Sequence, residues 1–291
     1  MRRELVVFLV ILAVVLIVGL GGRSLILNFA VNQIKGMFPG YDVSIGSADI
    51  RNTDMLAIAD IVVKKDDAIR YRIKSVEINF SPFSLFTKVI PKVAVKDARL
   101  KFNSPDKNLK DLIEYPVAKP GKGFIARSVV ISNLMVSVDT ADWQLSAGVN
   151  GNITAGKEMT YKAEIELGYF DLAFLAKGLN VAEKVELSGR LKGSLSLGGQ
   201  NLKVTYIKGD FVIYPDPSNV EGKLVIKDGE FLKKLAENTK QPLSVIEEGF
   251  KNYNFTRGTL RISRDAESIL FHILLDGAKG ERDLTVALHG F

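Results

Sequence analysis

The clearest pattern in the chain lies at residues 185–197, VELSGRLKGSLSL. Val185, Leu187, Gly189, Leu191, Gly193, Leu195 and Leu197 are apolar or glycine, and every residue between them is polar. A period of two is that of a β-strand with one dry and one wet face. At roughly 3.3 Å per residue such a strand would reach about 40 Å, about twice the usual length, which predicts a broad sheet. Whether its dry face meets a closed core or an apolar ligand is left open by alternation alone.

The same texture fills most of the chain. Val43 and Ile45, residues 58–63, then Val76, Ile78 and Phe80, then Val93, Val95, Ala98, Leu100 and Phe102 form four runs suited to an antiparallel meander, the last slipping phase at Lys96-Asp97 as a bulge does. Residues 81–91, SPFSLFTKVIP, form an apolar connection expected to cap one end of the sheet. Residues 103–123, with three prolines and two glycines, read as a loop. Strands resume at Val129 and Ile131, at 134–138, at 143–154 and at 161–167; residues 171–180 read as a helical turn. Beyond the 185–197 strand come Leu202, Val204 and Tyr206, then Phe211 and Ile213 across a slip at Lys208-Gly209, then a strand at Leu224 and Ile226. A helix pair is predicted at 230–238 and 242–252, burying Phe231, Leu232 and Leu235 on one helix and Leu243, Ile246 and Phe250 on the other. Strands at 253–262, 269–275 and 284–288 close the chain. The fold class expected is mainly β (α+β), a long, curved antiparallel sheet with short capping helices.

The N-terminus breaks this pattern. Arg2 and Arg3 precede eighteen uncharged residues, 5–22, closed by Arg23. As a helix they span about 27 Å, the thickness of a bilayer's hydrocarbon core. A cleaved signal peptide is the competitor, but its apolar region is shorter and ends in a better small-x-small site. Residues 1–23 are therefore read as an uncleaved single-pass anchor, its start cytoplasmic by the positive-inside rule and the bulk of the chain across the inner membrane, in the periplasm of a bacterium. Residues 24–38 read as a short amphipathic helix lying on the first strands or at the membrane surface.

Composition narrows the chemistry. The 291 residues are 47% hydrophobic and include no cysteine, which removes disulfides and thiolate sites. The 39 basic and 33 acidic residues, net +6, are interspersed as on a solvated surface. His272 and His289 stand alone in the last strands, Asp66-Asp67 sits in a hairpin turn, and Trp143 packs in a strand. No His-Glu-x-x-His, P-loop or nucleophile elbow is present. The reading is a protein that is not an enzyme, with no catalytic residue, metal site, cofactor or nucleic-acid partner.

Four segments in order behind the anchor and short helix, GYDVSIGSADI (40–50), LAIADIVVKK (56–65), IKSVEINFSPFSLF (73–86) and VAVKDARLKF (93–102), resemble the opening of AsmA-like proteins. Residues 245–280 resemble the closing region of YdbH-type members of that superfamily. The organisation implied is an anchor at 1–23, an AsmA-like helix and meander at 24–102, a loop at 103–123 and a continuing β-groove at 124–291 with the helix pair near 230–252. The function implied is phospholipid transport between inner and outer membrane along an apolar groove. On that implication the groove is lined by Val76, Ile78, Phe80, Val185, Leu187, Gly189, Leu191, Gly193, Leu195, Leu197, Leu202 and Val204, the glycines leaving room for an acyl chain. The partners are phospholipid, the membrane, and other envelope proteins or further copies meeting at sheet edges. The alternative is a structural or interaction scaffold of the envelope, with a role in outer-membrane assembly and no lipid transport. Leu191→Asp distinguishes a closed core, which would unfold, from an open groove, which would tolerate the charge.

Overall fold

The computed structural model of the chain describes residues 27–28, 31–32, 35, 40–52, 54–65, 68–81, 84, 87–102, 125–139, 144–173, 176, 182–201, 203–265 and 268–289. The expected anchor at 1–23, most of the 24–38 helix, the 103–123 loop, Trp143 and Leu202 lie outside these residues. Among the described residues no helix is long and apolar enough to cross a membrane. They are mainly strand, with two short helices near the C-terminal end. The chain divides into two compact units, residues 1–100 with 116–132, and residues 101–115 with 133–291.

In the first unit β1 (Asp42–Arg51), β2 (Met55–Lys65), β3 (Ala68–Asn79) and β5 (Lys92–Phe102) pair antiparallel in that order, and β4 (Val89–Ile90) pairs parallel with β6 (Ile125–Ala126). The slip expected at Lys96-Asp97 is present, with Asp97 at φ +51°. It is one of a row. Pairing passes from Ile45↔Ile61 to Ser47↔Ala59, so Gly46 and Asp60 are skipped opposite each other. Asp60 is skipped opposite Lys74, and Lys74 opposite Asp97. Asp60 sits at φ +55°, a left-handed conformation that a short polar side chain tolerates. Because every strand slips at the same level, Leu56 and Ile58 before the row and Ile61 and Val63 after it stay on one face, and all four are buried.

β7 (Ser128–Asp139) carries the division between the units. In the second unit it leads a sheet in the order β7, β8 (Gln144–Ala155), β9 (Met159–Asp171), β11 (Arg190–Gln200), β12 (Lys203–Tyr214), β15 (Arg257–Asp265), β16 (Ser268–Gly277), β17 (Gly280–His289). A smaller sheet joins β10 (Val185–Leu187), β13 (Gly222–Ile226) and β14 (Tyr253–Phe255).

The strand expected to run unbroken over 185–197 is thus two strands in two sheets. The break is at Ser188-Gly189. The Ser188 N–H donates to Lys223 O (2.9 Å), and the Ser188 hydroxyl oxygen accepts from the Lys223 N–H (2.9 Å), holding the chain in the small sheet up to that point. Gly189 then takes φ +124°, with no room for a Cβ 2.9 Å from Tyr214 O, and its carbonyl accepts from the Leu172 N–H. The chain crosses between the sheets again at Thr256, so the strand expected at 253–262 is also split. The slip expected at Lys208-Gly209 lies instead between Val204 and Tyr206, opposite Gly198/Gly199.

The predicted helix pair is present as α1 (Gly229–Thr239) and α2 (Leu243–Lys251). Asp228 caps α1, its carboxylate accepting from the N–H groups of Glu230 (3.0 Å) and Phe231 (3.2 Å). The inward face of α1 carries Leu232 and Ala236, and Phe231, expected to be buried, is outside it. Ile246 and Phe250 of α2 are buried as their spacing predicts.

Candidate functional site

Cross-strand partners share a face, so register and alternation assign the two faces of the second unit's sheet. Leu191, Leu195 and Leu197 of β11 stand with Ala163, Ile165 and Leu167 of β9 on one side and Ile207, Phe211 and Ile213 of β12 on the other. The row continues through Leu260 and Ile262 of β15, Phe271, Ile273 and Leu275 of β16, and Leu284 and Val286 of β17. Val149 and Ile153 of β8 extend it the other way. The opposite face is mixed, with Tyr206, Val212, Leu270 and Leu274 among its polar residues. Asn150, Glu164, Glu166, Lys192, Ser194 and Asp210 there border an open trough of about 570 Å³.

Among the described residues, the elements that cover the apolar face sit at one end of it. The small sheet and the helix pair sit over Leu191, Phe211, Ile213, Leu260, Leu275 and Leu284, and these join Leu224, Ile226, Leu232, Ile246, Phe250, Tyr253 and Phe255 in one buried cluster. Moving away from the cap, the large side chains of β11 and β12 become less buried, whereas on β16 the far-end Ile269 is buried again. Leu191 is 3% exposed while Leu195 and Leu197 are half-buried, and Ile213 is 2% exposed while Ile207 is half-buried. Ile153, farthest along β8, is 40% exposed. At about 25 cal/mol per Å² of apolar surface, a row of half-buried aliphatic side chains leaves appreciable free energy to be gained from a cover.

Polar contacts fix the cap. Arg282 donates to Gly249 O of α2 (3.2 Å), and the Tyr253 hydroxyl lies 2.6 Å from Gly280 O and 3.1 Å from Leu275 O. Burial pushes the Tyr253 phenol above its ordinary value. On the polar side, Arg190 donates to Asp216 (3.1 Å) and lies over the Tyr169 ring (5.6 Å), pinning the turn between β12 and β13. The Ser218 N–H and hydroxyl, and then Arg190, hold the Asp216 carboxyl below the usual range. Among the described residues no three His, Asp or Glu side chains are grouped to hold a metal ion.

The residues singled out from sequence fall in three places. Leu191, Gly193, Leu195, Leu197 and Val204 share the apolar face of the second unit's sheet. Val185 and Leu187 belong to the small sheet and pack against the capped cluster. Val76 and Ile78 lie on the buried face of the first unit's sheet, and Phe80 follows β3 with its N–H donating to Asp54 O (2.7 Å). Gly189 and Gly193 are set as glycine by neighbouring main chain: a Cβ at Gly189 would stand 2.9 Å from Tyr214 O and one at Gly193 2.2 Å from Asp210 O. Reasoning from one strand missed Ile165, Ile207, Ile262 and Phe271, which register brings beside Leu195 and Leu197. The signal for Ile165 and Ile262 was present as alternation in 159–167 and 257–265, without the pairing that would join it.

No family model matches the chain, and none of the curated proteins matches its sequence.

Proposed function

We propose that the chain is a membrane-anchored periplasmic protein whose apolar sheet face binds phospholipid acyl chains and takes part in moving lipid between the inner and outer membranes. The observation that carries this reading is an apolar face continuous across seven strands, β8 to β17 in pairing order, capped at one end and, among the described residues, with Leu195, Leu197 and Ile207 only half-buried away from the cap. A lipid tail needs a continuous dry surface and no chemistry, each buried methylene contributing about 0.8 kcal/mol. The AsmA-like and YdbH-like segments and the apolar stretch at 5–22 point the same way.

Leu191→Asp does not test this, because Leu191 lies under the cap and its loss would unfold the domain for either reading. The discriminating positions are farther out. With photoreactive p-benzoylphenylalanine in place of Leu197 or Ile207 in the full chain in its native membrane, irradiation is expected to give phospholipid adducts by mass spectrometry, and none in place of Lys192 on the polar face. Equal lipid yields at all three positions, or protein adducts alone at Leu197 and Ile207, would overturn the lipid reading; the second outcome is the one a scaffold gives.

A further inference from the structure

β17 ends the second unit's sheet, and among the described residues no strand pairs with its outer side. Its pairing with β16 runs without a slip from Gly277↔Gly280 to Ser268↔His289, closed by the two-residue turn Ala278-Lys279. A two-residue hairpin closes on a hydrogen-bonded pair, and such pairs then alternate along the ladder. Arg282, Leu284 and Val286 therefore direct their main-chain groups to β16, and Glu281, Asp283, Thr285 and Ala287 turn theirs outward. The Thr256 N–H donating to Asp276 O (2.9 Å) agrees, because it places the main chain of Asp276, opposite Glu281, on the side away from β17.

An open row of donors and acceptors is a hazard that edge strands normally blunt with charge, proline or a bulge. β1, at the other end of the pairing order, does so: it slips at Gly46 and carries Asp42, Asp49 and Arg51. In β17 the charges stop at Asp283. From Leu284 to Ala287 there is no charge, proline or bulge, and Thr285 and Ala287 are exposed.

We infer that β17 is a self-association edge, pairing antiparallel with β17 of a second copy about a twofold axis at Thr285. Self-complementarity selects this occupant and this register. Thr285 meets its counterpart, a favourable cross-strand pair, and Asp283 meets the small, uncharged Ala287 on either side of the axis. The two Asp283 carboxylates then stand four residues apart, roughly 13 Å along the strands, whereas a register centred on Asp283 sets them face to face. On the other face Leu284 meets Val286, so the apolar faces of the two copies run on into each other. The interface is isologous and closes at two copies. It needs no lipid, and so stands or falls apart from the lipid reading.

The chain has no cysteine, so single substitutions report the register by disulfide formation. Facing residues in a hydrogen-bonded antiparallel pair have Cα atoms about 5.5 Å apart, within disulfide reach. With the full chain in native membranes oxidised by copper phenanthroline, Thr285→Cys is expected to give a covalent dimer. Asp283→Cys and Ala287→Cys alone are expected to give little, since Cα atoms more than about 7 Å apart are not bridged, and the two coexpressed are expected to restore the dimer. In sedimentation of the detergent-purified chain, the wild type is expected to be a dimer. Thr285→Lys, which sets two like charges opposite each other at an exposed position, is expected to weaken that dimer about tenfold and leave the chain folded. Equal disulfide yields at the three positions overturn the register in favour of random collision. A monomeric wild type, or a dimer that Thr285→Lys leaves intact, overturns the edge. Disulfides between Thr285→Cys and Ser44→Cys of β1 in a ladder of larger species overturn the closed pair in favour of a head-to-tail filament.

Discussion

The guanidinium of Arg282 lies 4.7 Å from the centroid of the Tyr253 ring, so β17 is locked to β14, the strand that follows the helix pair. The same guanidinium is 5.9 Å from the Phe250 ring and donates to Gly249 O, which ties α2 to β17. Arg282→Met keeps the apolar stem and removes the charge and the donor. It is expected to destabilise the second unit by about 1 to 2 kcal/mol, read as a fall in the denaturant midpoint with unchanged slope.

Tyr253 adds a pH dependence at the alkaline end. Its phenol is raised above the ordinary value by burial, so the folded state holds a proton that the unfolded state has released. The stability this contributes is complete below the unfolded pKa of about 10 and is lost as pH rises through the higher folded value. Tyr253→Phe is expected to cost about 1 to 2 kcal/mol at neutral pH through the two carbonyls it leaves, and to flatten the decline above pH about 10 in urea titrations.

The row Gly46, Asp60, Lys74 and Asp97 makes a prediction about side-chain shape. Asp60 and Asp97 hold left-handed backbone, which costs a β-branched residue roughly 1 to 2 kcal/mol. Asp97→Val is expected to lose about that much, and Asp97→Asn to change thermal stability little. Equal effects of the two substitutions in a thermal melt would mean that the Lys74–Asp97 ion pair (3.9 Å), rather than the backbone, explains the aspartate.

These contrasts show what the sequence made legible. The slip at Asp97 could be read from one strand because Val95 and Ala98 fall on the same face only if alternation breaks between them. The helix pair could be read because Ile246 and Phe250 recur at helical spacing between turn signals. The split at Gly189 could not, because the pattern of 185–197 is the same whether one sheet or two receives it. What divides it is Lys223, whose backbone takes both polar groups of Ser188 and lies 35 residues away. The apolar face was foreseen on one strand and not as a surface, since register is set by long-range pairing that periodicity does not carry.

The N-cap of α1 predicts an acid dependence of opposite sign to that of Tyr253. The Phe231 N–H, and then Lys184, hold the Asp228 carboxyl below the usual range. A lowered carboxyl contributes stability above the unfolded pKa of about 3.9 that is lost as pH falls through the lower folded value. Asp228→Ala is expected to lower the melting temperature at pH 7 by about 2 to 4 °C and to bring less further loss than the wild type suffers between pH 5 and 2. Asp228→Asn, which keeps an acceptor oxygen and drops the charge, should recover most of the melting temperature at pH 7 and show the same weakened acid dependence.

The last contrast sets two glycines of the second unit against each other. At Gly193 a Cβ would meet Asp210 O at 2.2 Å and the Phe211 Cα at 2.7 Å, both main-chain atoms of the neighbouring strand that cannot turn aside. At Gly229, the first residue of α1, nothing lies within 4 Å of that position. Gly193→Ala must therefore push β11 and β12 apart, at an expected cost of about 1 to 3 kcal/mol, whereas Gly229→Ala should be neutral or stabilise by up to about 1 kcal/mol through the unfolded state. Chemical denaturation of the two variants side by side checks both. A neutral Gly193→Ala would mean that β11 and β12 part at little cost.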